Sequence, residues 1–324
     1  MRDTPCRTCF LCGGTGRILH EGLQDRLFGV PGKWSFRLCD SPDCGLVWLD
    51  PKPLESDLPN AYASYYTHGN GEAATNSVRK GSRQRRIVRK LEQIWLALLL
   101  LGSARRRIDT MFLDDIEPGR MLEVGCGDGR LLAGMRTRGW DVAGHEIDPK
   151  AADLARHVSG VTVYSGDLIE IALPAESYDA IVMNHVIEHA YDPPGLAKEC
   201  HRLLKPGGLF IVTTPNANSY GHERFGDAWM CLDPPRHLQI FSPKTLEQLA
   251  TGSGFLCCRT WTTPVRAGGL LAASLDIERK GTHKMRKMVS TQQIVAAFRY
   301  QLAAKIAYIQ SKGSGEEVVL LARR

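Results

Sequence analysis

No stretch of this 324-residue sequence stays apolar for long enough to cross a bilayer. The longest run, "IWLALLLLG" at 94–102, is about half of the roughly 20 residues that a span requires. The opening "MRDTPCRTCFLC" holds no apolar core of the kind a secretory signal needs, so the chain is expected to be cytoplasmic. Internal repeats and low-complexity tracts are missing too, and disorder is not the default reading. Extreme charge is absent: the formal net charge is +6, with 43% hydrophobic and 23% charged residues, as in an ordinary globular chain. A chain of this length has room for one large domain and one small one.

Acidic residues are scarce in one place. Arg79, Lys80, Arg83, Arg85, Arg86, Arg89, Lys90, Arg105, Arg106 and Arg107 share a segment whose only acid is Glu92. Such a segment favours an anionic surface or ligand. The apolar run lies between these cations, which leaves two readings: a helix docked on the main domain, or a helix lying along a membrane surface. A second basic stretch, "ERKGTHKMRK" at 278–287, falls in a mostly helical insert at about 266–313.

The ten cysteines, without a secretory signal, are expected as thiols or metal ligands rather than disulfides. Residues 1–50 gather Cys6, Cys9, Cys12, Cys39 and Cys44 among glycines and β-like runs such as "WSFRLC" and "GLVWL". Gly13 follows Cys12 and Gly45 follows Cys44; with Cys9 and Cys39 they give C-x2-C-x26-C-x4-C, the spacing of a four-cysteine zinc ribbon. A register that uses Cys6 with Cys9 stays open, although it lacks a glycine after its second cysteine. A module of about fifty residues buries little core and needs a staple. Four thiolates leave no open position on the metal, so the zinc is expected to be structural. Cys126, Cys200, Cys231, Cys257 and Cys258 are expected to be packing residues. The organisation is then a zinc ribbon at 1–50, a connector and basic helical segment at 51–118, and a large domain at 119–324 that carries the helical insert 266–313.

From Met121 the apolar runs "RMLEVG", "DVAGHEI", "VTVYSGD", "YDAIVMN", "LFIVTTP", "FLCCRTW" and "EEVVLLA" mostly alternate with helical stretches such as "RLLAGMRTRG" and "PKAADLARHV". Alternation of this kind implies an α/β, Rossmann-like, doubly wound sheet. The first strand runs into "LEVGCGDG", where Gly125, Gly127 and Gly129 let backbone approach a ligand, and a helix starting near Arg130 points its N-terminus there. Dinucleotide folds use G-x-G-x-x-G around a pyrophosphate, whereas the spacing here is E-x-G-x-G-x-G. An acid at the strand end suits a cation better than a pyrophosphate.

S-adenosylmethionine has a sulfonium, an ammonium and no phosphate. Glu123 is expected to face its methionyl end. Glu146, seventeen positions after Gly129, is expected to accept hydrogen bonds from its ribose. Asp167 in "SGDLIE" is placed to accept from the adenine amino group, with Leu168 packed on the ring. Asn184 ends the fourth strand, where substrate would meet cofactor.

On the residues "LEVGCGDG", "GHEID", "GDL", "YDAIVMNHVIEH", "RLLKPGGLFIVTTPN" and "PRHLQIFSPKTLEQLATGSGF", spanning about 120–260, the chain resembles the class I S-adenosylmethionine-dependent methyltransferases. The resemblance implies a seven-stranded sheet whose last strand, "EEVVLLARR", inserts antiparallel. A zinc ribbon ahead of this pattern resembles a branch linked to modification of saccharides, lipids or other small metabolites, an analogy that fixes no substrate.

Methyl transfer asks the protein to align a nucleophile and exclude water, and an oxygen or amine acceptor must also lose a proton. His185, His189 and His237 are candidates for that general base; the plainer reading of each is a histidine bonded within a helix start. The stretch "HVIEH" also matches H-x-x-E-H, but a peptidase would carry it on a long helix rather than after an apolar strand. It is similar as well to the E-V-x-E-H segment of ubiquinone-pathway O-methyltransferases, which holds a divalent cation; His185 stands where the first Glu would be, which puts a metal beside Glu188 and His189 in doubt. "DPPG" at Asp192 and "DPPR" at Asp233 are expected to be loop turns. The leading function is a methyltransferase acting on a small-molecule, saccharide or lipid-linked acceptor, at an oxygen. An RNA methyltransferase is the alternative, prompted by the zinc ribbon and the basic segment, and a non-catalytic module that keeps the fold is the third.

Overall fold

The computed structural model describes residues 1–62, 82–283 and 290–324. Arg79, Lys80 and the last four residues of the second basic stretch, 284–287, lie outside the described residues, as do the side chains of Arg83 and Arg85. In chain order the strands are β1 (Asp3–Thr4), β2 (Gly16–Leu23), β3 (Trp34–Cys39), β4 (Val47–Asp50), β5 (Lys52–Pro53), β6 (Arg120–Val124), β7 (Asp141–Glu146), β8 (Val163–Ser165), β9 (Tyr178–Asn184), β10 (Leu204–Pro215), β11 (Gln239–Ile240), β12 (Leu256–Thr263) and β13 (Glu317–Arg323). They fall into two compact units. One holds Met1–Arg105, Pro215–Ser242 and Thr262–Glu317; the other holds Arg106–Thr214, Pro243–Trp261 and Val318–Arg324. The composition changes near residues 50 and 118 mark shifts of sequence character, whereas the compact units interleave across them.

In the first unit β2, β3 and β4 pair antiparallel, and β11, almost two hundred residues further on, adds a fourth strand on β4. Both β-like runs read from residues 1–50 are therefore strands. Their apolar residues Trp34, Phe36, Val47, Trp48 and Leu49 are buried. The same unit buries a whole guanidinium. Arg236 donates to Asp25 at 2.8 Å and to Asp233, and its guanidinium lies 4.5 Å from the Phe28 ring centroid. Two carboxylates and a ring face replace the water that the charge loses. Asp233, at φ 36°, opens this turn, so "DPPR" is a loop as expected. The insert supplies two helices, Ala267–Lys280 and Thr291–Gln310, packed on each other.

In the second unit the sheet order is β12-β13-β10-β9-β6-β7-β8. β6 pairs parallel with both β7 and β9, β7 with β8, and β9 with β10. The carboxyl ends of β10 and β13 point opposite ways: Gly207 donates to the Arg324 carbonyl at 3.0 Å, and Arg324 donates back to that of Gly208 at 3.0 Å. The antiparallel last strand is thus present. Runs such as Leu122, Val124, Ile181, Val182 and Ile211 are buried, as sheet covered on both faces requires. Helix starts are capped: Asp148 accepts from Lys150 and Asp192 from Gly195, each with proline in the first turn. "DPPG" is accordingly a helix start and not a loop turn. Successive strands run from β6 outward through β7 to β8, then return to β9 on the other side of β6. That reversal opens a crevice beyond the carboxyl ends of β6 and β9, where ligands of such sheets sit. Of the cysteines expected in the core, Cys126, Cys200 and Cys231 are buried, but Cys257 is exposed, held at φ 49° on β12, and Cys258 is half-buried. Among the described residues no helix is long and apolar enough to cross a membrane.

Candidate active site

The loop after β6 needs glycine for two different reasons. Gly125 and Gly129 sit at φ 69° and 72°, and a Cβ on them would come within 2.4 Å of Val186 Cγ2 and 2.8 Å of the Ala155 carbonyl oxygen. Those two let neighbouring segments close in. Gly127 is also left-handed, at φ 53°, yet a Cβ there would meet nothing within 4 Å. Its side of the loop is open.

Three carboxylates lie at this loop, and one of them, Asp128, is paired with Arg130, whose Nε donates to it at 2.6 Å. Glu123 ends β6 almost fully buried, and its Oε2 has no hydrogen-bond partner. Burial pushes its carboxyl well above the usual range, the charges of Asp128 and Glu146 push further, and only the Leu132 amide pulls back. Glu146, at the end of β7, accepts from the Gly127 amide at 2.9 Å through Oε2 and from the Asp148 amide at 3.2 Å through Oε1. Burial raises its pKa as well. An unpartnered buried acceptor with the Glu146 carboxyl beside it fits a ligand that carries positive charge and hydrogen-bond donors. A pyrophosphate would be repelled.

Around the third strand the polar groups mostly hold the loop. Asp167 is exposed and accepts from the Ile169 amide at 2.7 Å, while Leu168 beside it is buried. His145, which sequence reasoning passed over, places its Nε2 2.7 Å from the Gly166 carbonyl and so ties the second strand to the "SGD" turn. Its position beside Glu146 in "GHEID" was the available signal.

At the end of β9, Thr213 Oγ1 donates to Asn184 Oδ1 at 2.8 Å. His185 follows at φ 57°, a backbone conformation that a residue with a side chain adopts only when its surroundings impose it. Here its amide bonds the Thr213 carbonyl at 2.9 Å, and its Nδ1 lies 3.1 Å from Glu188 Oε1. Glu188 is fully buried and accepts from Thr214 Oγ1 at 2.9 Å through its other oxygen. A carboxylate fixed at both oxygens orients the imidazole. His189 lies one turn on, its amide bonded to the Val186 carbonyl, half-buried. The structure therefore brings Glu123, the three glycines and Glu146 together, and His185 with Glu188. His237 belongs to the other compact unit, where it is buried with Nδ1 2.7 Å from the Cys231 carbonyl. A carbonyl only accepts, so Nδ1 carries the proton there.

The N-terminal thiols also converge. Cys9, Cys12, Cys39 and Cys44 place their sulfurs within 4.8 Å of one another, with Cys9 3.6 Å from Cys44 and Cys12 3.4 Å from Cys39. These separations far exceed a disulfide bond of about 2 Å, and they approach the roughly 3.8 Å between ligands of a tetrahedral zinc with Zn–S near 2.3 Å. Gly13 and Gly45 take the left-handed turns, at φ 72° and 79°. Cys6 is outside the cluster, its amide bonded to Asp50.

Residues 98–258 match the family model described as "methyltransferase domain". A malonyl-[acyl-carrier protein] O-methyltransferase of Serratia marcescens is 32% identical over 130 residues, covering 40% of this chain and 50% of that protein. A ubiquinone biosynthesis O-methyltransferase of Cereibacter sphaeroides is 36% identical over 118 residues, covering 34% and 48%. A probable S-adenosylmethionine-dependent methyltransferase of Mycolicibacterium smegmatis is 37% identical over 139 residues, covering 42% and 51%. The chain spans about half the length of these curated relatives. Among solved structures, Haemonchus contortus phosphoethanolamine N-methyltransferase 2 superposes with a TM-score of 0.50 at 17% identity, over 86% of this chain and 63% of that one, a likeness of fold. With a seven-stranded sheet of this order and the acidic glycine loop at its switch point, residues 98–258 are a methyltransferase domain of the S-adenosylmethionine-dependent class.

Proposed function

We propose that the chain transfers a methyl group from S-adenosylmethionine to an oxygen of a small-molecule, saccharide or lipid-linked acceptor. The observation that carries the reading is the buried Glu123 carboxylate, unpartnered at Oε2, facing an open glycine loop with Asp128 and Glu146 beside it. In this reading Glu123, Gly125, Gly127 and Gly129 hold the methionyl end, Glu146 the ribose, Asp167 and Leu168 the adenine, and Asn184 the border with the acceptor. Bound there, S-adenosylmethionine supplies an electrophilic methyl group on a positively charged sulfur. The chain's own task is to align the acceptor oxygen, exclude water and take its proton. His185 takes that proton, because Glu188 both orients its ring and stabilises the imidazolium once formed. His189 and His237 are the other candidate bases. Cys9, Cys12, Cys39 and Cys44 hold a structural zinc with no open position for chemistry.

Oxygen as the accepting atom rests on the relatives, whose names specify O-methylation in ubiquinone biosynthesis and of malonyl-[acyl-carrier protein]. Those names give no support to the RNA alternative. The test is incubation with methyl-labelled S-adenosylmethionine and separated lipid, small-molecule and RNA fractions. Label is expected in the lipid or small-molecule fraction, as a base-stable ether or as an ester; label in RNA alone, or in no fraction, refutes the proposal.

A further inference from the structure

We infer that the helix Ser82–Leu98 is a docking face for an anionic phospholipid surface. The inference does not depend on the methyl-transfer reading.

The helix shows its apolar residues to solvent. Ile87, Leu91, Ile94 and Leu98 are exposed by 51%, 46%, 57% and 70%. At about 100° per residue these four fall within an arc of roughly 60°. Just past the helix end, Leu100 is exposed by 83%. A surface helix of a globular protein normally turns such a stripe inward. This one already has an inward face: Leu96 is buried, and Trp95 donates through Nε1 to the Phe298 carbonyl at 3.2 Å while its ring packs on that of Phe298. The outward stripe is therefore additional to what holds the helix in its unit. The neighbouring helix Thr291–Gln310 repeats the pattern, with Val295, Leu302, Ile306 and Ile309 exposed and, by the same count, within about 60° of each other.

Charge selects the occupant. Lys90 and, further round, Arg86 are exposed on one flank of the first stripe, whereas Arg89 lies on the far side of the helix, and Arg299 is exposed on the second helix. An apolar stripe flanked by cations matches acyl chains beneath anionic headgroups, where helix and cations each find their own partner. A second copy of the chain fits less well, because pairing the stripes would bring the two sets of cations together. A neutral hydrophobic partner would offer no counter-charge to the exposed Lys90 and Arg299.

Sedimentation of the full chain with vesicles tests this. Phosphatidylcholine vesicles containing phosphatidylglycerol should carry the protein down, and pure phosphatidylcholine vesicles should carry much less. Each cation near an anionic surface contributes about fivefold in partition, so Arg86→Glu with Lys90→Glu should weaken binding at least about 25-fold. Leu91→Ser with Ile94→Ser should weaken it at least about tenfold. All four positions are exposed, and unchanged melting curves would confirm that both variants fold. Equal binding to neutral and anionic vesicles, no binding to either, or a solution dimer that Leu91→Ser with Ile94→Ser dissociates would each overturn the inference.

Discussion

Replacing Glu123 with glutamine should make the free protein more stable and the cofactor complex weaker. The side chain is almost fully buried, its Oε2 has no partner, and Asp128 and Glu146 oppose its ionisation. Its folded pKa therefore lies above its unfolded one. For an acid shifted in that direction, folding is unaffected below the unfolded pKa, and stability falls as pH rises from there to the folded pKa. The slope in that window is at most about 1.4 kcal/mol per pH unit. Glutamine fills the same space without a charge and removes the slope. Near neutral pH the ligand-free variant should accordingly be more stable, by at most about 1.4 kcal/mol for each pH unit above the unfolded pKa. The bound state moves the other way. A hydrogen bond to a charged group contributes about 1.5–3 kcal/mol, so loss of the carboxylate should weaken S-adenosylmethionine binding roughly 10- to 150-fold. Urea melts at about pH 5 and about pH 7.5 read the first effect, and calorimetry reads the second. A variant that is less stable than the parent at both pH values and binds the cofactor equally well would refute the electrostatic reading of Glu123.

Three further outcomes follow from other parts of the molecule. His185→Ala should lower kcat about 10²- to 10⁴-fold while the dissociation constant for S-adenosylhomocysteine changes little; an unchanged kcat would remove His185 as the base. Metal analysis should find one zinc per chain, and Cys12→Ser or a strong chelator should lower the melting temperature and release that zinc, since a module this small depends on its metal; a metal-free protein with unchanged melting would exclude the zinc. Arg236→Met should destabilise the fold by about 3–5 kcal/mol in urea melts, because Asp25 and Asp233 would stay buried without their counter-charge; a loss below about 1 kcal/mol would show that the two carboxylates relax to water.

The sheet was legible in the sequence because most of its parallel strands are short apolar runs followed by a helix, so the signal is local. The candidate site could be drawn for a similar reason: Glu123, Glu146 and Asn184 stand where an apolar run stops, and Asp167 two residues beyond one. What escaped reading depends on contacts between distant segments. Gln239 and Ile240 form only a two-residue strand, and nothing nearby announces that β4 is their partner. Arg236 looked like part of a loop, since its carboxylate Asp25 lies 211 residues away. Asp-Pro-Pro opens turns and helices alike, so the sequence alone does not place Asp192, and only the Gly195 amide decides between them. Cys257 was assigned to the core by residue type, but it lies on β12, the outermost strand of the sheet, where its side chain reaches solvent. The apolar run at 94–102 was visible, yet periodicity alone could not say that Leu96 turns inward while Ile94 and Leu98 turn out.

The most direct measurement is calorimetry of the full, zinc-loaded chain with S-adenosylhomocysteine and, separately, with NAD. One-to-one binding of S-adenosylhomocysteine with no heat from NAD is the result expected of an acidic glycine loop that excludes phosphate. Binding of NAD at that loop, with none of S-adenosylhomocysteine, would contradict it.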